Sequence, residues 1–365
     1  MRRRTRILPP AIFAILLAGC DLLQPDRTAP TPQQVQAEIL RLLPATLQDR
    51  KGWAQDIQVA FTALELPPTI ANLCAALAVI EQESGYKADP PVPGLGRIAR
   101  EEIERRAAGY GVPRLAVAAV LRLQAPDGRR YDQKLAAVRT ERELSELFEE
   151  IVQRAPAVSR RLLARANPVR TGGPMQVSMD YAASLARQRA YPYAMDGSLR
   201  REVFSRRGGV YFGIGHLLKY PNSYTRHLYR FADFNAGHYA SRNAAFQAAV
   251  TRATGIELAR DGDLVLRDRV SATEAAVRRL DGELQLGEEA IRRSLLRSNG
   301  HDFERTELYH EVFAAAERRA GKPLPRALVP QIALESPKIT RQLTTQWFAE
   351  RVETRYRACE KRAAR

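Results

Sequence analysis

Two glutamates close an otherwise apolar stretch, TIANLCAALAVIEQES, and Ser84-Gly85-Tyr86 follow them. On a helical wheel Leu73, Leu77, Ile80 and Ser84 fall near one line, with Glu83 about 80° to one side and Glu81 about 80° to the other. The two carboxylates diverge by roughly 160°, so they cannot act as a pair on one bond. Glu83, the last acid before the turn, can leave the helix end and rest on Val79 and Ile80. Apolar contact raises a carboxyl pKa, as a general acid working at neutral pH requires. The plain alternative is a solvated glutamate at a helix end.

Two later blocks add to it. Gly173-Pro174-Met175-Gln176-Val177 sets a tight turn before a methionine and a glutamine. The glycine lets backbone approach a ligand, and Gln176 carries both a donor and an acceptor for an acetamido or hydroxyl group. Farther on, Gly213-Ile214-Gly215-His216-Leu217-Leu218 precedes Phe231-Ala232-Asp233-Phe234-Asn235-Ala236-Gly237. A helix of small residues can pack closely, and Asn235 can be presented where the next helix ends. Singly, these are ordinary packing and helix-end sequences.

Taken in order, the blocks resemble the lytic transglycosylases of the lysozyme-like superfamily. Glu83-Ser84-Gly85-Tyr86, with Ala88 and Pro90, matches the family's Glu-Ser-x-aromatic turn; Gly173-Pro174-Met175-Gln176 matches Gly-Leu-Met-Gln. Gly215 and Leu218 match the spaced Gly and Leu, and Asp233-Phe234-Asn235-Ala236-Gly237 matches Ala-Tyr-Asn-Ala-Gly. The resemblance covers short blocks within 69–245. It implies a membrane-anchored enzyme that cleaves the MurNAc–GlcNAc bond of peptidoglycan, with Glu83 as sole general acid and base and a 1,6-anhydro product. It further implies that Ser84, Tyr86, Gly173, Met175, Gln176, Phe234 and Asn235 line the substrate, and that no metal or cofactor takes part. A non-catalytic glycan-binding scaffold and a hydrolytic muramidase are the alternatives. Three departures stand out. About ninety residues separate the first two blocks, Pro174 replaces Leu, and Phe234 replaces a Tyr whose hydroxyl lies near the acid in relatives. Tyr86, Tyr211, Tyr229 and Tyr239 are candidates to supply that hydroxyl. TGGPMQVS, RFADFNAG and SPKITRQLTT also resemble recurrent phrases of an uncharacterised family of Gram-negative lipoproteins.

The five histidines, 216, 227, 238, 301 and 310, lack zinc-site spacing. His227 and His238, eleven apart, could share a helix face. Net charge is +16, and Arg2, Arg3, Arg4 and Arg6 supply four of it, leaving +12 when 41 acids are set against the other Lys and Arg. A basic surface favours an anionic partner such as cell wall or membrane, and no nucleic-acid signature accompanies it.

These side chains need elements to carry them, and the N-terminus says where. MRRRTR and a short apolar run end at Leu17-Ala18-Gly19-Cys20, the order of a bacterial lipoprotein signal peptide over 1–19. Lipid on Cys20 would hold the chain at a membrane facing the periplasm, with Asp21 resembling an inner-membrane retention signal. Residues 20–32 read as a tether. In an oxidising compartment Cys74 and Cys359 can pair or remain two buried thiols. The mature chain reads as mainly α: a lysozyme-like domain over 33–250, an inserted helical subdomain over about 91–166, and a helical C-terminal extension over 251–365. DLVLRD, 263–268, is the one clear strand pattern. In the extension, Ser336-Pro337 reads as a helix start and Trp347-Phe348 as core.

Overall fold

The stretch that ends in the two glutamates becomes a helix covered on almost every side. In the computed structural model, which describes residues 29–154, 157, 160, 167–195, 197–334 and 341–365, helix α3 spans Ile70–Ser84. The signal peptide, Cys20, most of the tether, most of 155–166 and the 336–340 segment lie outside the described residues. The Thr69 hydroxyl accepts from the Asn72 N–H to start α3, and Gly85, left-handed at φ +57°, ends it. Every residue from Leu73 to Ile80 is buried. A helix apolar around its whole circumference must be enclosed by others, and much of the fold supplies that enclosure.

Helices α1 (Pro32–Leu42) and α2 (Arg50–Ala63) pack on each other and join the same apolar cluster as α3. Next come α4 (Leu95–Gly109), α5 (Arg114–Leu121), α6 (Tyr131–Ala137) and α7 (Glu141–Arg154), with a small core of their own that includes Leu95, Leu121, Tyr131 and Leu135. These helices make a segment within residues 91–166. Its start is fastened by the antiparallel bridge between Pro91 and Thr140.

The glycine-containing segment folds as a two-stranded hairpin, β1 (Thr171–Gly172) against β2 (Val177–Ser178). Helices α8 (Met179–Gln188), α9 (Leu199–Phe204), α10 (Arg206–Leu218), α11 (His227–Ala236) and α12 (Ala240–Thr254) follow. Then come α13 (Ala272–Arg278), α14 (Asp281–Leu284), α15 (Glu288–Leu296), two 3-10 turns, α16 (Glu307–Ala320) and α17 (Thr345–Ala363).

The expected strand at 263–268 is not formed; this stretch is irregular. It has no neighbouring strand among the described residues to complete a ladder. Its carbonyls are met by side chains instead: the Ser271 hydroxyl donates to Leu264 O (2.6 Å), and Arg292 donates to Leu266 O and Arg267 O. Alternating apolar residues can thus be seated by side-chain donors as well as by a sheet.

The C-terminal region divides in two. Residues 245–316 supply a second apolar core, with Phe246, Phe303, Tyr309 and Phe313 in ring contact. Arg242, 1 % exposed, fastens that region to the rest. It donates to Gly300 O and Ser298 O and lies over the Tyr239 and Phe303 rings. The last helix leaves this core and returns to the first. Phe348, Val352, Tyr356 and Cys359 of α17 belong to the α3 cluster, and residues Pro32–Arg365 form one compact unit.

A disulfide joins Cys74 to Cys359, with Cα atoms 5.5 Å apart. Glu81 pairs with Arg355 at 3.4 Å. The index rises along α3 as it falls along α17, so the two run antiparallel. Asn235–Thr345 and Arg226–Glu353 contacts show the same for α11 and α17. The C-terminal helix is therefore the middle element between α3 and α11.

The bridge closes a loop of 285 residues. Chain-entropy reasoning gives such a crosslink ~2–5 kcal/mol. We expect Cys359→Ala, or reduction of the wild type, to lower the thermal unfolding midpoint markedly. A midpoint that does not move on reduction would show that the crosslink contributes nothing.

Candidate functional site

The turn after α3 owes its form to two consecutive left-handed residues, Gly85 (φ +57°) and Tyr86 (φ +60°). Such a conformation costs a non-glycine residue about 1–3 kcal/mol, so surrounding contacts must hold it. They do. The Tyr86 ring folds back under the helix, buried, edge-on to Trp53 at 5.6 Å, and its hydroxyl donates to Leu77 O at 3.2 Å. Burial, with the Glu81 charge next, pushes the Tyr86 phenol well above its usual range. The Ser84 hydroxyl donates to Ile80 O at 3.0 Å. Ser84 and Tyr86 thus shape the turn, leaving Glu83 half-buried at the helix end. Glu81, held by Arg355, faces α17.

The hairpin turn is built likewise. Gly173 (φ +73°) and Gln176 (φ +49°) are both left-handed. Gln176 spends its side chain locally: Nε2 donates to Gly173 O and Oε1 accepts from the Thr171 hydroxyl, both at 3.3 Å. Its amide thus braces its own turn, with one amide hydrogen and one lone pair left over. Met175 is fully buried in the α3 cluster.

The glycines of α10 explain how this turn is docked. A Cβ on Gly213 would stand 2.5 Å from Met175 Cβ, and one on Gly209, one turn earlier, would strike the Pro174 ring. Only bare backbone lets hairpin and helix approach this far. The sequence showed small residues here without showing what they admit.

Asn235 sits in the last turn of α11, and its Oδ1 accepts from the buried Thr345 hydroxyl at 3.0 Å. Phe234 is nearly buried, its ring 5.0 Å from that of His216. Of the tyrosines that could replace the missing hydroxyl, Tyr86 bonds to Leu77 O and Tyr239 to Pro221 O. The buried Tyr211 hydroxyl has no hydrogen-bond partner among the described residues.

Asp233, which sequence reasoning passed over, is the most heavily bonded group of the segment. Fully buried, it accepts from the Tyr224 hydroxyl (2.6 Å), the Tyr220 hydroxyl (3.1 Å), Tyr239 N–H (2.9 Å) and Ser241 N–H (2.7 Å). It therefore caps the start of α12 from the end of α11. Burial raises its pKa, and the donors of Tyr224, Ser241 and Tyr220 oppose that rise. Its signal in the sequence was an acid within an apolar helix, set among tyrosines.

His227 and His238 do not share a helix face. Gly237 ends α11 between them. His227 stacks on Tyr356 at 5.2 Å, while His238 stacks on Tyr220 at 4.0 Å and His216 at 4.4 Å. His216 and His238 line a cavity of about 260 Å³ with Asp261, Asp263 and Asn299. No cluster that could hold a metal occurs among the described residues. Two larger cavities, of about 650 and 720 Å³, lie about helices α4–α7, and Glu83 lines neither.

The three blocks, with the glycine helix, therefore share one core: Leu77, Ile80, Tyr86, Met175, Tyr211 and Phe234 belong to a single cluster. Over residues 46–362 the chain matches the family described as "Protein of unknown function (DUF1615)". The chain belongs to the DUF1615 family. It is also similar to "Uncharacterized protein YaiW" of Escherichia coli (strain K12), with 47% identity over 354 residues, 96% of each chain. No solved structure matches it. For this member of the DUF1615 family the uncharacterised-family reading is established, and the helical class holds with it.

Burial, with His238 next, pushes His216 down to about 3 from an ordinary 6.5. The unfolded chain then binds a proton there below about 6.5 that the folded chain refuses until about 3. The neutral ring thus contributes full stability above about 6.5 and loses it as pH falls towards 3, by up to about 5 kcal/mol. We expect the unfolding midpoint to fall over this window, and His216→Phe to flatten the fall. Equal slopes for the two proteins would show that His216 titrates normally.

Proposed function

We propose that this protein is a lipid-anchored, periplasm-facing lytic transglycosylase, with Glu83 as its single general acid and base. What carries the reading is the convergence of the three resembling blocks on one core, with left-handed backbone at Tyr86 and Gln176 in two of them. Backbone held against its preference concentrates where a function needs it. The anchor would be lipid on Cys20.

In this reading Glu83, protonated, gives its proton to the glycosidic oxygen between N-acetylmuramic acid and N-acetylglucosamine. The C1–O bond breaks and the leaving sugar departs as an alcohol. The carboxylate then takes the proton from the muramic acid C6 hydroxyl, whose oxygen bonds to C1 and closes the 1,6-anhydro ring. Glu83 ends protonated, ready for another turn. The substrate brings its own nucleophile, so a second carboxylate at glycosidase spacing is unnecessary. Gly173, Ser84 and Phe234 would shape the walls, while Met175 holds the hairpin from within.

A second reading has specific support. Asn235 is bonded to Thr345, Gln176 to its own turn and Tyr86 to Leu77, and Phe234 brings no hydroxyl. Polar groups committed to the fold suit a scaffold that binds glycan without cutting it.

Mass spectrometry of purified peptidoglycan digested by wild type and Glu83→Gln tests both. The first reading expects anhydro-muropeptides from the wild type and a rate ~10²–10⁴ lower from the variant. Reducing-end products would indicate a muramidase instead. Products from neither protein, with wall binding intact in both, would leave the scaffold.

A further inference from the structure

Exposed large apolar residues are concentrated at one place. Tyr110 is 88% exposed, Leu115 84%, Leu123 59%, Val120 51% and Val112 40%, all within fourteen residues of the inserted segment. Elsewhere among the described residues such side chains are spread thinly from Ile70 to Leu296. Helix α5 reads RLAVAAVL and is apolar around its circumference. Its Val117 and Leu121 face the small core formed with Leu95 and Tyr131, and the opposite side is bare. A short helix of this kind is ordinarily covered.

Its form and charge indicate what covers it. Residues 108–116 are exposed without interruption, and Cβ atoms placed on Gly109 or Gly111 would meet nothing within 4 Å. The α4–α5 turn therefore projects outward as a tip. From Tyr110 to Gln124 there is no acid, while Arg114 and Arg122 flank the apolar residues. Arg122 forms no ion pair among the described residues, and Arg114 reaches only Glu104, at 3.6 Å. Across 97–130, eight arginines stand against four acids.

We propose that this tip inserts into the surface of an anionic phospholipid bilayer. Leu115, Val120, Leu123 and Val112 enter the boundary between headgroups and acyl chains. The Tyr110 ring sits at headgroup level, and Arg114 and Arg122 meet lipid phosphates. A projecting apolar knob with a basic collar suits a soft, negatively charged surface better than the concave pocket of a protein partner. The proposal deepens the anchored reading above. Eleven residues separate Cys20 from α1, a span of at most ~40 Å. A lipid on Cys20 would keep the tip within reach of a bilayer, so that weak insertion is enough.

The test uses the lipid-free chain from Asp21 onward, which contains the whole compact unit, so its failure does not touch the acylation of Cys20. Co-sedimentation is measured with phosphatidylcholine vesicles, with and without phosphatidylglycerol. We expect binding to the anionic vesicles, weaker binding to the neutral ones, and at least a ~10-fold lower partition coefficient for L115E/L123E. R114Q/R122Q should lose the preference for phosphatidylglycerol, and L296E, at a distant exposed leucine, should bind as the wild type does. Unfolding midpoints for each variant confirm the fold. Wild type that ignores both vesicles, or L115E/L123E that binds unchanged, overturns the proposal. Loss of vesicle binding in L296E equal to that in L115E/L123E would do the same.

Discussion

A helix with no polar side sets the terms for this fold. From Leu73 to Ile80 every residue of α3 is buried, so no single neighbour can satisfy it. Coverage comes from elements far apart in the chain: α1 and α2 before it, the hairpin and α10 from the middle, and α17 from the C-terminus. Alanines at 75, 76 and 78 keep its waist narrow, and the tie from Cys74 to Cys359 fixes one neighbour covalently. Glu83 therefore leaves the end of a rod that cannot shift without disturbing most of the core. Side chains meant for precise work benefit from such a mount.

Much of this was legible in the residues. The apolar spacing, Thr69 and Gly85 gave α3 almost to the residue, because cap chemistry and side-chain burial are local. The divergence of Glu81 and Glu83 followed from helix geometry, and Glu81 indeed faces α17. What the sequence concealed was long-range. DLVLRD alternates as a strand does, yet donors from Ser271, just beyond it, and from Arg292, 26 residues after Leu266, took the ladder's place. The possible pairing of Cys74 with Cys359 was the one local hint that the last helix would leave the second core and cross to α3, and that pairing is formed. The hairpin at 171–178 was too short for a periodic pattern to reveal. Asp233 was read as part of a phrase, although its four donors make it the link between α11 and α12.

The polar side chains of the site divide by what they are already doing. Tyr86, Gln176 and Asn235 each hold a turn or a helix in place, and each does so within a few ångströms of its own backbone or of α17. This is how a fold keeps strained turns, since left-handed Tyr86 and Gln176 need compensating contacts. Holding a turn does not exhaust an amide, which keeps spare hydrogen-bonding capacity. It does fix the direction in which that capacity can be offered. Family membership narrows none of this, because the family itself is described only as one of unknown function.

The position of α17 has a consequence for how the molecule comes into being. A chain is made, and delivered across any membrane, from its N-terminus. α3 is then finished long before the helix that must lie against it, Cys359 following Cys74 by 285 positions. Until the final nineteen-residue helix arrives, a sticky apolar rod has one flank open. The last segment thus serves as a certificate of completion: a chain cut short anywhere before it leaves that flank of α3 open, and only an intact copy can close it.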